Sequence, residues 1–245
     1  MSAGINPMHQ FELTNVVKIE AFGFNFSLTN GALVMCGAVL LAFLIGIFLS
    51  THNKIIPTRL QSAIEMILNT IRGVCYGTLG ESGKKYVPFV FSLFLFILTL
   101  NIMGLIPGTF AETSHISITF ALALIMFFVC VFITIAKRGF FGFISHFLPA
   151  GTPWWMAPLM FVLELFSYMV RPVSLAVRLA ANMIAGHVML DVIAFFVVMM
   201  GIFGVLPFAF LCVLMAFELF VAILQAYIFS VFSCVYIAEA CEEHH

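Results

Sequence analysis

The sequence predicts an all-α membrane protein with five membrane-crossing helices and one amphipathic surface helix. Of its 245 residues, 63% are hydrophobic and only 9% are charged, and the mean hydropathy is +1.18. A soluble domain of this length has too little interior to bury so much apolar surface. The last two apolar stretches are also longer than one crossing needs, which predicts that they form a long, steeply tilted hairpin.

The chain is predicted to be a single polytopic membrane domain, residues 1–245. In chain order, its predicted segments are an N-terminal outer segment (1–31), a first span (32–50), an inner-surface amphipathic helix (58–80), a second span (86–107), a third span (116–136) and two hairpin arms (158–200 and 207–239). Each of the first three spans is close to the roughly 20 residues that a membrane helix needs.

Net charge and cysteine spacing argue against two classes of function. The formal net charge is −1, which argues against nucleic-acid binding. The six cysteines are scattered and never occur at CxxC spacing, so they indicate core or lipid-facing residues rather than disulfides or metal ligands.

The segment between the first two spans has the pattern of an amphipathic helix. From Arg59 to Gly77, apolar residues recur at helical spacing and polar residues fill the other positions. This pattern is typical of a helix on the inner membrane surface. The alternative is a helix packed against a partner protein.

Basic residues indicate the orientation. They cluster between the first two spans and directly after the third, at Lys54, Arg59, Arg72, Lys84, Lys85, Lys137 and Arg138, whereas the loops 108–115 and 201–207 have none. By the positive-inside rule the basic loops face the cytoplasm or matrix. Five crossings then place the N-terminus outside and the C-terminus inside.

The hairpin is predicted from length. Residues 208–238 contain no glycine or proline and would extend about 46 Å as one helix, against a hydrocarbon core of about 30 Å. The preceding stretch is longer still, with Pro172 as a site for a kink. A tilt of about 20° does not absorb the excess, so a steeper tilt is expected.

Polar side chains share one face of the first arm. They recur at helical spacing and comprise Glu164, Ser167, Arg171, Ser174, Arg178 and Asn182. Arg178 lies inside the apolar stretch, where a guanidinium costs about 2.5–3.5 kcal/mol on insertion scales. Such a residue is expected to face a polar cavity or a partner's carboxylate and to mark an ion pathway.

The second arm carries a matching row. One antiparallel register pairs Glu164 with Glu239, Arg178 with Gln225, and His187 with Glu218. His187 and Asp191 are out of phase with Arg178, so they are expected to point away from its face. Two half-paths that meet near the arginine are therefore predicted, and Glu and His suit proton relay because their pKa values can be shifted toward neutrality.

The motif PVSLAVRLAANMIAGH, followed by FELFVAILQAYIF, closely resembles subunit a of the rotary (F-type) ATP synthases, the membrane stator that faces the c-subunit ring. RLQSAIEM, LTLNIMGLIP and TSHISITFALAL extend the resemblance over most of the chain. The match is to forms with His after AG and Glu in FEL, and other members carry these two residues exchanged.

The resemblance implies a role for each polar residue. Arg178 would be the essential arginine that faces the rotor carboxylate and stops direct proton passage between two half-channels. The outer half-channel would comprise Asn182, His187, Asp191, Glu218 and Gln225. The inner half-channel would comprise Glu164, Arg171, Ser174 and Glu239. No metal or other cofactor is implied, and the chain would not be an enzyme on its own.

The implied partners are the c-subunit rotor ring, the peripheral-stalk subunit b, other ATP synthase subunits and membrane lipid. The implied location is an energy-transducing membrane, either the bacterial plasma membrane or the mitochondrial inner membrane. Two alternatives stay open, a freestanding proton channel and a polytopic secondary transporter, although no inverted repeat supports the latter. A haem protein needs axial histidines inside its spans, and only His187 qualifies.

Overall fold

A computed structural model of the protein describes residues 15–17, 20–21, 24–25, 28–51, 58–106, 116–148 and 153–241. Most of the predicted outer segment, the loop 108–115 and residues 242–245 lie outside the described residues. Two short antiparallel β pairs precede the helices: β1 (Asn15–Val17) with β4 (Leu28–Thr29), and β2 (Glu20–Ala21) with β3 (Phe24–Asn25). The sequence analysis does not predict them, because strands of two or three residues are too short to show an alternating pattern.

The helices follow the apolar stretches of the sequence. They are α1 (Asn30–Thr51), α2 (Arg59–Leu79), α3 (Val87–Gly104), α4 (Ile116–His146), α5 (Ala157–Met200) and α6 (Val205–Cys241). Within the described residues, α3, the Ile116–Lys137 part of α4, α5 and α6 are long and apolar enough to cross a membrane, and α1 adds a shorter apolar stretch, Gly31–Ile47. The chain is therefore a helical integral membrane protein.

Helix α2 begins at a polar cap and buries one side. The Thr58 hydroxyl accepts a hydrogen bond from the backbone N–H of Gln61 at 3.4 Å, which satisfies one of the donors left open at a helix start. Ile71 and Cys75 are buried, whereas Met66 is 68% exposed. The apolar side of α2 thus packs partly against α3 and α6. It is therefore covered in part by the protein itself and not by lipid alone.

Helix α3 is the most buried of the four candidate spans. It packs against α1, α2 and α6, and its Val90, Ile97 and Leu100 are almost fully buried. Asn101, near its end, is completely buried and donates its side-chain amide to the backbone carbonyl of Ala222 at 3.1 Å. The hydrogen bond ties α3 to the middle of α6.

Glycines mark the changes of direction. Gly139 has a φ of 72° inside α4, a conformation that favours glycine, so the helix kinks two residues after its apolar part ends at Lys137. Gly201 has a φ of 54° and begins the short 3-10 turn between α5 and α6. At Gly204 a side chain would collide with the backbone carbonyl of Val197. Gly201 and Gly204 thus allow the tight connection between α5 and α6.

Helices α5 and α6 are antiparallel neighbours. The 44 residues of α5 correspond to a length of about 66 Å, more than twice the roughly 30 Å of a hydrocarbon core. The helix continues through Pro172. Helix α6 starts two residues before Pro207, where proline is tolerated because N–H groups in a first helical turn have no intrahelical partner.

Candidate functional site

Two polar contacts set the register between α5 and α6. The amide of Asn182 donates to the side-chain oxygen of Gln225 at 3.1 Å, and the guanidinium of Arg171 forms an ion pair with Glu239. Two predicted pairings are therefore wrong, and one of them is that of Gln225, which meets Asn182 rather than Arg178. Glu239 meets Arg171 rather than Glu164, because the long arginine side chain offers an opposite charge, whereas two level carboxylates would repel each other.

Arg178 lies on the exposed side of α5. Its guanidinium carbon is 5.7 Å from the ring centre of Phe232 on α6, a distance suited to a cation–π contact. Within the described part of the chain, Arg171 has an acidic partner but Arg178 has none within ion-pair distance. The charge of Arg178 is thus left open to whatever packs against this surface.

An open cavity of about 850 Å³, here termed the arginine cavity, extends along this side of the two helices. Its polar lining residues are Ser167, Arg171, Ser174, Arg178 and Tyr236. Arg178 and two residues assigned to the inner half-channel, Arg171 and Ser174, thus line the same cavity. Glu164 is exposed on α5 outside the lining, and Glu239 reaches the cavity through its ion pair with Arg171.

A second cavity of about 750 Å³, the glutamate cavity, lies farther along the same helices. Its lining includes Asn182, Gly186 and Glu218, together with apolar residues. Three predicted members of the outer half-channel are not part of this lining, namely His187, Asp191 and Gln225. Gln225 stays connected to it through Asn182.

The two cavities meet without merging. No described residue lines both of them. Arg178 borders the arginine cavity and Asn182 borders the glutamate cavity, and these residues are one helical turn apart, about 6 Å along the axis. The arrangement provides two separate recesses whose linings approach each other within one turn of α5.

His187 and Glu218 are both buried titratable residues, and Glu218 lines the glutamate cavity. Their exposed fractions are 8% and 7%, whereas Arg178 is exposed, which agrees with the helical phase expected from the sequence. Asp191 lies close enough to interact electrostatically with both residues. Neither carboxyl oxygen of Glu218 has a hydrogen-bond partner among the described residues.

Gly186 is a site residue that the sequence analysis does not single out. A Cβ atom at this position would lie 2.8 Å from the carboxyl carbon of Glu218 and closer still to one of its oxygens. The missing side chain therefore makes the space that the Glu218 carboxyl occupies. The signal available in the sequence was that this glycine directly precedes His187, a candidate relay residue.

Phe232 and Tyr236 are also absent from the predicted site. Both line the arginine cavity, one helical turn apart on α6. Aromatic residues are frequent throughout this sequence, so nothing distinguished these two without the fold. The described residues contain no cluster of three or more His, Cys, Asp or Glu arranged to hold a metal ion.

Gly186→Ala is expected to lower proton flow, the activity that the sequence resemblance implies, by about tenfold to a hundredfold, because displacing a reacting group by about 1 Å can cost that much. The new methyl group must push the Glu218 carboxyl aside. Alanine favours a helix over glycine by roughly 0.5–1 kcal/mol, so the amount of folded protein should not fall. Proton pumping in inverted vesicles provides the measurement.

Gly46→Ala in α1 is the matched control, since a Cβ atom there meets no atom within 4 Å. It should leave pumping unchanged. Wild-type pumping by Gly186→Ala would show that the position of the Glu218 carboxyl is not critical.

The chain matches a known protein family. The family model described as ATP synthase A chain matches residues 32–238. This range includes the lining of both cavities and every predicted site residue except Glu239.

Proposed function

The chain belongs to the ATP synthase A chain family, and we propose that it is the proton-translocating stator of that membrane sector. In this proposal two offset aqueous half-channels load and unload the carboxylates of the c-subunit rotor ring. Arg178 stands between the half-channels. The peripheral-stalk subunit b and the other ATP synthase subunits would hold the chain in place beside the ring.

The observation that carries the proposal is the environment of Arg178. The guanidinium lies on an exposed, largely apolar side of α5 without an acidic partner within the described part of the chain. Exposure of a permanent positive charge to lipid is costly, so a partner with a negative charge is expected to cover this surface. A carboxylate on the rotor ring meets that requirement.

The proton path follows from the two cavities. A proton enters the glutamate cavity, is relayed through Glu218 and His187, and is passed to a rotor carboxylate. After the ring has turned, the carboxylic acid comes next to Arg178, whose positive charge favours the ionised form and drives proton release. The proton then leaves along Ser174 in the arginine cavity and past Glu164, which is exposed on α5 outside the cavity lining.

Glu239 has an electrostatic role in this path. Arg171 and Arg178 line the same cavity, and two uncompensated guanidinium groups would repel a departing proton. The ion pair with Glu239 neutralises Arg171. The exit therefore retains one net positive charge, at the place where the rotor carboxylate has to be ionised.

Contacts near the end of α6 support the assignment of sides. The Cys241 thiol lies 3.7 Å from the Tyr86 hydroxyl, and Tyr86 directly follows the basic residues Lys84 and Lys85. Because basic loops face the inner side, the arginine cavity would open inward and the glutamate cavity outward. With five crossings and a tilted α5–α6 hairpin, the N-terminus would lie outside and the C-terminus inside.

Labelling from each side of the membrane tests this proposal. Ser174→Cys and Asn182→Cys, each on a background without native thiols, would be treated with an impermeant maleimide from either side. We expect Ser174→Cys to be labelled from the inside and Asn182→Cys from the outside. Although these positions are only eight residues apart, they line different cavities.

Lys85→Cys, in the predicted inner loop, reports which side is inside. Labelling of Ser174→Cys and Asn182→Cys from the same side, at equal rates, would contradict two separate half-channels.

A further inference from the structure

Two cysteines from distant parts of the chain meet in the core. Cys75 lies on α2 and Cys234 on α6, 159 residues later, and their sulfur atoms are 3.1 Å apart. Both side chains are fully buried. Within the described residues this is the one contact between two thiols, and neither residue lines the cavities described above.

The contact is close to the geometry of a covalent bond. The sulfur atoms of a disulfide are about 2.05 Å apart, so these two need to approach by only about 1 Å. The two helices that carry them already pack against each other. The scattered spacing of the cysteines in the sequence gives no sign of this meeting, because it depends on how α2 docks on α6.

We propose that Cys75 and Cys234 are a redox-sensitive thiol pair, and that their oxidation to a disulfide fastens α2 to α6. The inference rests on the packing of these helices and does not depend on the proton path. It identifies a site of reversible covalent modification whose co-reactant is a small, uncharged peroxide.

Cys75 is the nucleophile of the pair. The hydrogen bond with the Cys234 thiol lowers the pKa of the Cys75 thiol, although burial acts in the opposite direction. The thiolate is the reactive form of cysteine, so the Cys75 sulfur attacks one oxygen of hydrogen peroxide. The O–O bond breaks, a sulfenic acid forms on Cys75, and the released hydroxide takes up a proton to become water.

The second step closes the bond. The Cys234 sulfur attacks the sulfenic sulfur, the S–O bond breaks, and the hydroxyl group leaves as water with the Cys234 proton. In total, two thiols and one hydrogen peroxide yield one disulfide and two waters. A dithiol reductant reverses the reaction by thiol–disulfide exchange.

The position of the pair determines what the bond restrains. Cys234 lies between Phe232 and Tyr236, which line the arginine cavity from α6, but its own side chain points into the core against α2. The disulfide would therefore hold this part of α6 on the surface helix. Oxidation should slow any separation of α2 from the bundle.

Cleavage at methionine tests the bond in the intact chain. Membranes containing the whole complex would be exposed to hydrogen peroxide, free thiols blocked with N-ethylmaleimide, and the chain cut with cyanogen bromide without reduction. Cys75 then lies on the fragment 67–103 and Cys234 on the fragment 216–245. We expect mass spectrometry to find these fragments joined after peroxide treatment and separate after dithiothreitol.

Three variants make the result specific. Cys75→Ser and Cys234→Ser should each abolish the joined fragments, and Cys241→Ser should retain them, since Cys241 is the other cysteine of the fragment 216–245. Separate fragments in the peroxide-treated wild type would overturn the proposal. So would a bond that survives Cys234→Ser.

Discussion

Replacement of Arg178 with alanine is expected to reduce proton-driven ATP synthesis by about a hundredfold or more, the usual cost of removing one preorganised charge-stabilising group. Without the guanidinium, nothing in this part of the chain favours the ionised rotor carboxylate. The positive charge at the boundary between the two cavities is also lost. Protons would then cross without turning the ring. ATP synthesis in energised vesicles measures the loss.

Arg178→Lys should restore little of the activity. The ammonium group keeps the charge but lacks the planar, delocalised fork and the stacking on an aromatic ring that the contact with Phe232 uses. Arg72→Ala is the matched control, because Arg72 is on α2 and makes an exposed hydrogen bond to Asn69. Near-normal synthesis by Arg178→Ala membranes would refute the assignment.

Exchange of His187 and Glu218 is expected to show that they act as one relay site. His187→Glu alone places two acids together, and Glu218→His alone places two imidazoles together, so each should lower pumping by about tenfold or more. The double exchange restores one acid and one imidazole at nearly the same depth. It should recover a substantial part of the loss, with an interaction of about 0.5–3 kcal/mol between the two changes.

Proton pumping would be compared in inverted vesicles of the wild type, both single variants and the double variant, at equal amounts of assembled subunit. Coupled titration of the pair is what makes the effects non-additive. If the double variant pumps no better than the worse single variant, the two residues do not act as one relay site.

The membrane class and the apolar helices could be predicted because lipid imposes a simple length and composition rule. Helix α2 also follows its pattern, from Thr58 onward. What the pattern did not reveal is that Ile71 and Cys75 are buried against the chain's own helices. An amphipathic face has the same appearance in the sequence whether lipid or protein covers it.

The polar residues of the two hairpin arms could be predicted in outline, because arginine and glutamate are costly inside apolar stretches and are easily recognised there. The detailed pairing could not. Glu239 binds Arg171 through the reach of the arginine side chain, and a register based on helix rise alone ignores that reach. Gly186 was hidden for the opposite reason, since its function is the space that it leaves empty.

The hydrogen bond from Asn101 to the Ala222 carbonyl has a mechanical consequence. Ala222 lies between Glu218 and Gln225 on α6, so the most buried helix of the bundle braces the stretch that carries the relay groups. In the proposed complex, a turning ring would exert lateral load on the surface beside it. One such bond between membrane helices contributes only about 0.6 kcal/mol on average, so its value would lie in stiffness: in the proposed complex it would limit movement of Glu218 and Gln225 each time a rotor subunit passes.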